Sequence, residues 1–257
     1  MSAAVHVPDA ADVIVLAAMT WEARPVLRAL RDVRREYLPG CTSWYGSAGP
    51  YRVRVLRTGI GQACARTSLA RAGVDAEGGR PAWVVSTGCA GALAPHLVGG
   101  DLVAATGIVN GAGDLVYGCR AHADVLVAWA EHPGLHLHLG PFLSVAEPLR
   151  DVESKRLARE RTAAIAVEME GAATATAALA AATRLLAVRA ILDAAGTAIP
   201  SATAPRRHPV ARALGLAREA GRSLGTLVAG QRAAQRSLEI FFSAFFADGA
   251  GVAAIDG

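Results

Sequence analysis

The sequence predicts an α/β fold built on a largely parallel sheet, and three observations carry that prediction. Short β-branched or apolar runs alternate with longer segments rich in alanine, leucine and arginine, as βαβ units require. Strand-like runs close on glycine or a carboxylate just before a helical segment begins, where sheets of this kind gather ligands. The chain has 257 residues, 53% of them hydrophobic and 19% charged, enough to bury a full core and near the upper end of one domain. A single domain over residues 1–257 is expected, with 1–12 and 247–257 as flexible ends.

Taken in order, the elements follow from hydrophobic period, length and punctuation. The apolar run Val13 to Ala18 reads as the first strand, and the arginine-rich stretch Glu22 to Arg34 behind it as a helix. Tyr51 to Thr58 reads as a strand and, past Gly59 and Gly61, Gln62 to Ala72 as a helix. Ala82 to Thr87 and Asp101 to Val109 are strands; Ala121 to Glu131 is a helix, and Leu135 to Val145 a further strand. Ser154 to Arg161 reads as a helix, Ala164 to Met169 as a strand, the small-residue run Gly171 to Thr183 as a helix, and Leu185 to Leu192 as the last strand. Pro200 and Pro205 make Gly196 to His208 a loop able to cross a site, ahead of one or two helices between Pro205 and Leu238. Four of the five phenylalanines lie in the tail Leu238 to Phe246. This tail reads as a terminal helix docked on the core or on a partner, with an apolar ligand pocket or a membrane contact as alternatives.

Composition excludes several function classes. Mean hydropathy is +0.32, but alanine supplies most of it, and Glu168, Glu170, Arg184 and Arg189 interrupt the apolar stretches before a transmembrane helix could form. Met1 to Asp12 lacks the pattern of a signal peptide, so a cytoplasmic location is expected. Cys41, Cys64, Cys89 and Cys119 form no Cys-x-x-Cys pair and are expected to be reduced, with no metal site. His122, His132, His136 and His138 have spacings that suit surface residues better than metal ligands. The net charge of +4 is carried by scattered arginines without interleaved aromatics, which argues against nucleic acid as a partner.

Four places could carry chemistry. Met19-Thr20-Trp21-Glu22 sets a carboxylate on the first turn of a helix, where it reads either as an ordinary N-terminal acid or as part of a site. Thr58-Gly59-Ile60-Gly61 and Thr87-Gly88-Cys89-Ala90-Gly91 are glycine-containing strand ends, which let backbone amides approach a ligand but also arise for packing alone. Neither matches the phosphate-binding or dinucleotide glycine patterns. The most informative run is Ala166-Val167-Glu168-Met169-Glu170. Two acids two residues apart share one face if the run is a strand, and are costly there unless they bind something or are solvated. Asp193 closes the next strand. Together Glu22, Glu170 and Asp193 suggest a carboxylate-lined cleft.

These motifs, in this order, resemble the nucleoside phosphorylase and nucleosidase superfamily, and within it the 5′-methylthioadenosine/S-adenosylhomocysteine nucleosidases. The resemblance runs from about Val13 to Gly196. It implies a three-layer α/β/α fold with a mixed, partly barrel-like sheet, cleavage of the N-glycosidic bond of a purine nucleoside without a cofactor, and a homo-oligomer, commonly a dimer. By position it implies that Asp193 protonates the purine at N7, Glu170 binds the ribose hydroxyls, and Glu22 holds and deprotonates the attacking water. It makes Met19 and Met169 walls of the ribose site, with Gly61, Cys89, Ala90, Gly91 and Glu168 around the substrate.

The sequence also departs from that pattern. Ser144-Val145-Ala146-Glu147-Pro148-Leu149 stands where the nucleosidases carry an aromatic that stacks on adenine, and Cys89 replaces a serine. Asp193-Ala194-Ala195-Gly196-Thr197-Ala198-Ile199-Pro200 resembles the hopanoid-associated phosphorylases, which release adenine from an adenosylated lipid precursor. Arg24 and Arg57 could supply phosphate contacts, while Glu22 suits water and repels phosphate. Hydrolysis of a 5′-modified adenosine is the favoured reading. Phosphorolysis with phosphate as co-substrate and a nucleoside-binding protein without catalysis are the alternatives.

Overall fold

A computed structural model describes residues 11–38, 41–74, 81–119, 126, 136–199 and 211–256. Strand β1 (Val13–Ala17) lies between β4 (Tyr51–Arg57) and β5 (Trp83–Ala92), parallel to both. β1 and β5 are buried on both faces, which is why they read as near-continuous apolar runs, whereas β4 carries a buried Arg54 and exposed Arg52 and Arg57. β5 also pairs in parallel with β10 (Arg184–Asp193), and β10 pairs antiparallel with β6 (Leu102–Val109). β6 runs parallel to β8 (Leu137–Ser144), β8 to the short β9 (Ala166–Glu168), and β9 returns antiparallel to the end of β5 at Gly91 and Ala92. The five strands β5, β10, β6, β8 and β9 thus close into a ring, and β7 (Leu115–Gly118) pairs with β6 outside it. This is the mixed, partly barrel-like sheet expected.

Helices cover both faces. α1 (Thr20–Ala29) and the long α5 (Ala211–Phe245) pack on one side, against a core that contains Val15, Val85, Trp83, Val188 and the phenylalanines 241, 242, 245 and 246. α2 (Gln62–Arg71) and α4 (Gly171–Ala180) pack together on the other, over Ile14, Leu16, Leu56, Val84 and Leu185. α3 (Val152–Thr162) lies outside the ring beside β8 and β9. The phenylalanine tail is therefore a helix docked on the core, and its rings stack on one another in the interior.

Several expectations need correction. The helix expected over Glu22 to Arg34 stops at Ala29, and residues Arg31–Leu38 form β2, an edge strand hydrogen-bonded to β3 (Cys41–Ala48). Its arginines gave the segment a helical look, but on an edge strand long charged side chains serve equally well, facing solvent and discouraging further pairing. Leu238 does not end the terminal helix, which continues to Phe245. Residues 247–256, expected as a flexible end, hold a 3-10 turn Ala247–Gly249 and α6 (Ala250–Asp256), with Val252 buried. Most of the expected helix 121–131 and of the expected loop beyond residue 199 lie outside the described residues. No helix among the described residues is long and apolar enough to cross a membrane.

Candidate active site

Three strand ends deliver four carboxylates to one cavity of about 460 Å³. Its wall includes Met19 and Glu22 after β1, Cys89, Ala90 and Gly91 on β5, Glu168 at the end of β9 with Met169 and Glu170 after it, and Asp193 at the end of β10. Nine of the ten expected site residues therefore meet. The tenth, Gly61, caps α2 and points its amide at Glu170, Gly61 N to Oε1 being 2.8 Å.

Glu22 sits in the first turn of α1 and is buried. Its Oε2 accepts from the Met19 amide at 2.9 Å, closing the helix N-terminus, as an ordinary N-terminal acid would. Its Oε1 does something capping does not require: it accepts from the Cys89 amide of β5 at 2.8 Å. Burial raises the carboxyl from its ordinary 4.5 to about 6, against the pull of the two amides and of Arg189. Gly88 makes room for it. Its φ is +136°, and a Cβ added there would lie 2.8 Å from Glu22 Oε1. Cys89 is held as a neutral thiol by burial and by the Glu22 charge beside it.

Glu168 and Glu170 do not share a strand face. β9 ends at Glu168, and Glu170 is already the N-cap of α4. Glu168 Oε2 takes hydrogen bonds from the amides of Glu170 at 3.0 Å and Gly171 at 2.7 Å, and from Arg189 Nη2 at 3.0 Å. The buried Arg189 also donates to Ser86. Glu168 thus folds the turn that presents Glu170. Burial raises the Glu170 carboxyl, with Arg189 opposing.

Asp193 is 3% exposed. Burial raises its carboxyl, and the ion pair with Lys155 lowers it.

A family model described as Phosphorylase superfamily matches residues 12–213. The chain belongs to the phosphorylase superfamily. No curated protein matches it by sequence. Among solved structures, this phosphorylase superfamily member is similar to the S-adenosylhomocysteine nucleosidase of Streptococcus pyogenes in complex with 5-methylthiotubericidin. The TM-score is 0.69 at 20% identity, over 91% of this chain and 97% of that one. It is also similar to the 5′-methylthioadenosine/S-adenosylhomocysteine nucleosidase of Neisseria meningitidis, with TM-score 0.68, 19% identity, and 90% and 96% of the chains covered. The Colwellia psychrerythraea counterpart, in complex with adenine, gives 0.69 and 19% over 91% and 95%. These likenesses establish the shared fold.

Sequence reasoning missed several residues that line or support this superfamily member's cavity. Lys155 and the pairing of Arg189 with Glu168 went unread, although an arginine inside the apolar run Leu185 to Ile191 signals a buried partner. The loop after β8 brings Val145, Pro148, Leu149 and Arg150 to the wall, so aliphatic groups stand where an aromatic was missed. Arg24 is exposed and lines neither this cavity nor the neighbouring cleft. Arg57 lines that larger cleft, of about 1070 Å³, which shares Ala18, Met19 and Ile60 with the cavity. Arg57 is bonded there to Thr20 and Thr42. Among the described residues no group of three or more His, Cys, Asp or Glu side chains could hold a metal ion.

Proposed function

We propose that the protein hydrolyses the N-glycosidic bond of a purine nucleoside, with a 5′-modified adenosine as its substrate class, releasing free base and free sugar. The observation that carries this reading is the convergence of Glu22, Glu170 and Asp193 on one cavity from three strand ends. Asp193 is the acid at N7, because a purine anion leaves poorly and a protonated base leaves well. Glu170, fixed by the Gly61 amide, holds the ribose hydroxyls, and its charge favours the oxocarbenium-like sugar. Glu22, raised to about 6, is an ionised base at neutral pH that takes a proton from the attacking water. Met19 and Met169 are apolar walls of the ribose site, and Cys89, Ala90 and Gly91 bound it on the β5 side. No cofactor enters the scheme.

Glu22 supports water over phosphate as nucleophile, since a carboxylate repels an anion at close range. Neither arginine considered for phosphate, Arg24 or Arg57, lines the carboxylate cavity, although Arg150 does. The cleft beyond Met19 and Ile60 supports a substituent at the 5′ position, as do the solved neighbours whose names specify methylthioadenosine and S-adenosylhomocysteine. The test is base release from adenosine, inosine, 5′-methylthioadenosine and S-adenosylhomocysteine, with and without phosphate. Hydrolysis predicts phosphate-independent release of free sugar; strict phosphate dependence and a sugar 1-phosphate product would reject it. Asp193→Asn should keep base binding and lose roughly two to four orders of magnitude in turnover. An unchanged rate in that variant would show the site to be wrong for either nucleophile.

A further inference from the structure

The chain has 26 basic side chains, and Lys155 is the one lysine among them. It is not on the surface. Asp151 caps α3, accepting from the Ser154 amide at 2.7 Å, and this start turns Lys155 inward while Glu153, Arg156 and Glu160 pair with one another outside. Lys155 is 1% exposed. Its ammonium can donate three hydrogen bonds and has three acceptors: Asp193 Oδ2, the Ala194 carbonyl at 3.1 Å and the Thr197 carbonyl at 2.8 Å.

A strut across that turn needs no charge, since the turn is already closed by Thr197 N to Ala194 O at 3.0 Å. Burying an ammonium is costly unless a partner offsets it. The partner is the carboxylate that the proposed reaction needs as its acid. Asp193 is 3% exposed and faces the cavity, so with a nucleoside seated there a proton it gives away is not quickly replaced from solvent. The neighbouring group able to replace it is the ammonium bonded to it.

We infer that Lys155 and Asp193 hold the leaving-group proton as one unit, Lys155 being a positioning residue that fixes the Asp193 carboxylate and resupplies it. This rests on the reading of Asp193 as the acid at the purine. As the bond from N9 to C1′ breaks, its electron pair goes to the base. A proton passes from Lys155 Nζ to the Asp193 carboxylate and from that carboxyl to N7, leaving a neutral amine. Water adds its oxygen to C1′ and gives a proton to Glu22. When the products leave, water refills the cavity, Glu22 gives its proton to it, and one returns to Lys155 through Asp193, which lines the cavity. The other ionisable groups on the cavity wall are Glu22, Glu168, Glu170, Cys89 and Arg150, and Asp151 and Glu153 at the start of α3 are exposed. The opposed influences of burial and of Lys155 on the Asp193 carboxyl agree with a shared proton.

Two variants and one spectrum test this. Lys155→Met keeps the length and drops the charge; Lys155→Arg keeps the charge but does not release a proton in the working pH range. With the fastest-cleaved of those four nucleosides, Lys155→Met should lower turnover at least tenfold. The alkaline limb of its kcat profile should move at least one pH unit toward acid, because Asp193 must then hold the proton alone. Lys155→Arg should bind adenine and stay similarly slow. A wild-type alkaline limb in Lys155→Met, whatever its rate, or wild-type turnover in Lys155→Arg, overturns the inference. Asp193→Asn separates the two levels. If it cleaves at the wild-type rate, or if the wild type cleaves nothing, the reading of the site falls; if only Asp193→Asn is inactive, the lysine inference alone falls. A single lysine also gives a single side-chain ammonium resonance after ¹⁵N-lysine labelling. That resonance should shift when adenine binds the wild type and stay still in Asp193→Asn; no shift in the wild type overturns the inference without any assay of activity.

Discussion

Under the proposed hydrolysis Glu22 must be a carboxylate to take a proton from water. Burial places its carboxyl at about 6. Roughly nine-tenths of molecules are then competent at pH 7 and roughly one-tenth at pH 5, so kcat/KM should fall about tenfold between them. An ordinary glutamate would leave roughly three-quarters competent at pH 5. Initial rates of base release from pH 4.5 to 8 separate the two, and a fall of less than twofold between pH 7 and 5 refutes the assignment. The rise from 4.5 to about 6 is a penalty on the charged form of on the order of 2 kcal/mol. Because the folded state holds this proton more tightly than the unfolded chain, the group's contribution to stability is fullest below about 4.5 and is lost as pH rises through about 6. Glu22→Gln removes that penalty at pH 7. It also turns an amide NH₂ toward the Met19 or Cys89 N–H, which costs about 1–3 kcal/mol. The two nearly cancel. The variant should therefore melt close to the wild type while turnover drops by roughly two orders of magnitude or more; a large loss of stability would make the lost activity uninformative and this balance wrong.

Arg189→Met should leave the Glu168 carboxylate buried without its cation and cost about 3–5 kcal/mol in chemical denaturation, far more than a surface arginine; a change below about 1 kcal/mol would show that the pair is not what folds this turn. Gly88→Ala combines an unfavourable φ with a Cβ that meets Glu22, so activity should fall well beyond any change in melting temperature, and a fully active variant would mean that Glu22 can move without consequence. Phe242→Ala empties a fully buried position among four stacked rings and should cost about 3–5 kcal/mol by the same denaturation measurement. Near-neutrality there would place the helix off the core in solution.

The parallel strands were legible because strands buried on both faces must be largely apolar, as β1, Trp83 to Val85 of β5 and Leu185 to Val188 of β10 are. The carboxylates were legible for the opposite reason: Glu22, Glu170 and Asp193 interrupt that pattern at strand ends. The hairpin β2 and β3 was not legible, since Arg31 to Leu38 carries its charges at spacings that a helix face tolerates as well as an edge strand does. Asp32, with φ +52°, marks the irregularity in this pairing, and nothing in its type announces it. Lys155 was hidden differently. On its helix it sits in a charged run, and only its singularity among arginines hinted at a selected role. The pairing of Arg189 with Glu168 joins residues 21 apart in the chain, and local period carries no information about such a contact.

The family match ends at residue 213, yet the strand that delivers Asp193 leans on a helix lying almost wholly beyond that point. Gly230 of α5 passes so close to the Leu192 carbonyl oxygen that an added Cβ would land inside its contact radius, and a Cβ at Gly100 would meet Ala233 at 3.0 Å. A methyl at residue 230 must either lift the helix or push the strand end. Displacements of about 1 Å at a reacting group are enough to change rates by two orders of magnitude. The long helix thus acts as an adjusting screw behind Asp193: a substitution on it can change the reach of that carboxylate while every residue of the cavity wall stays the same.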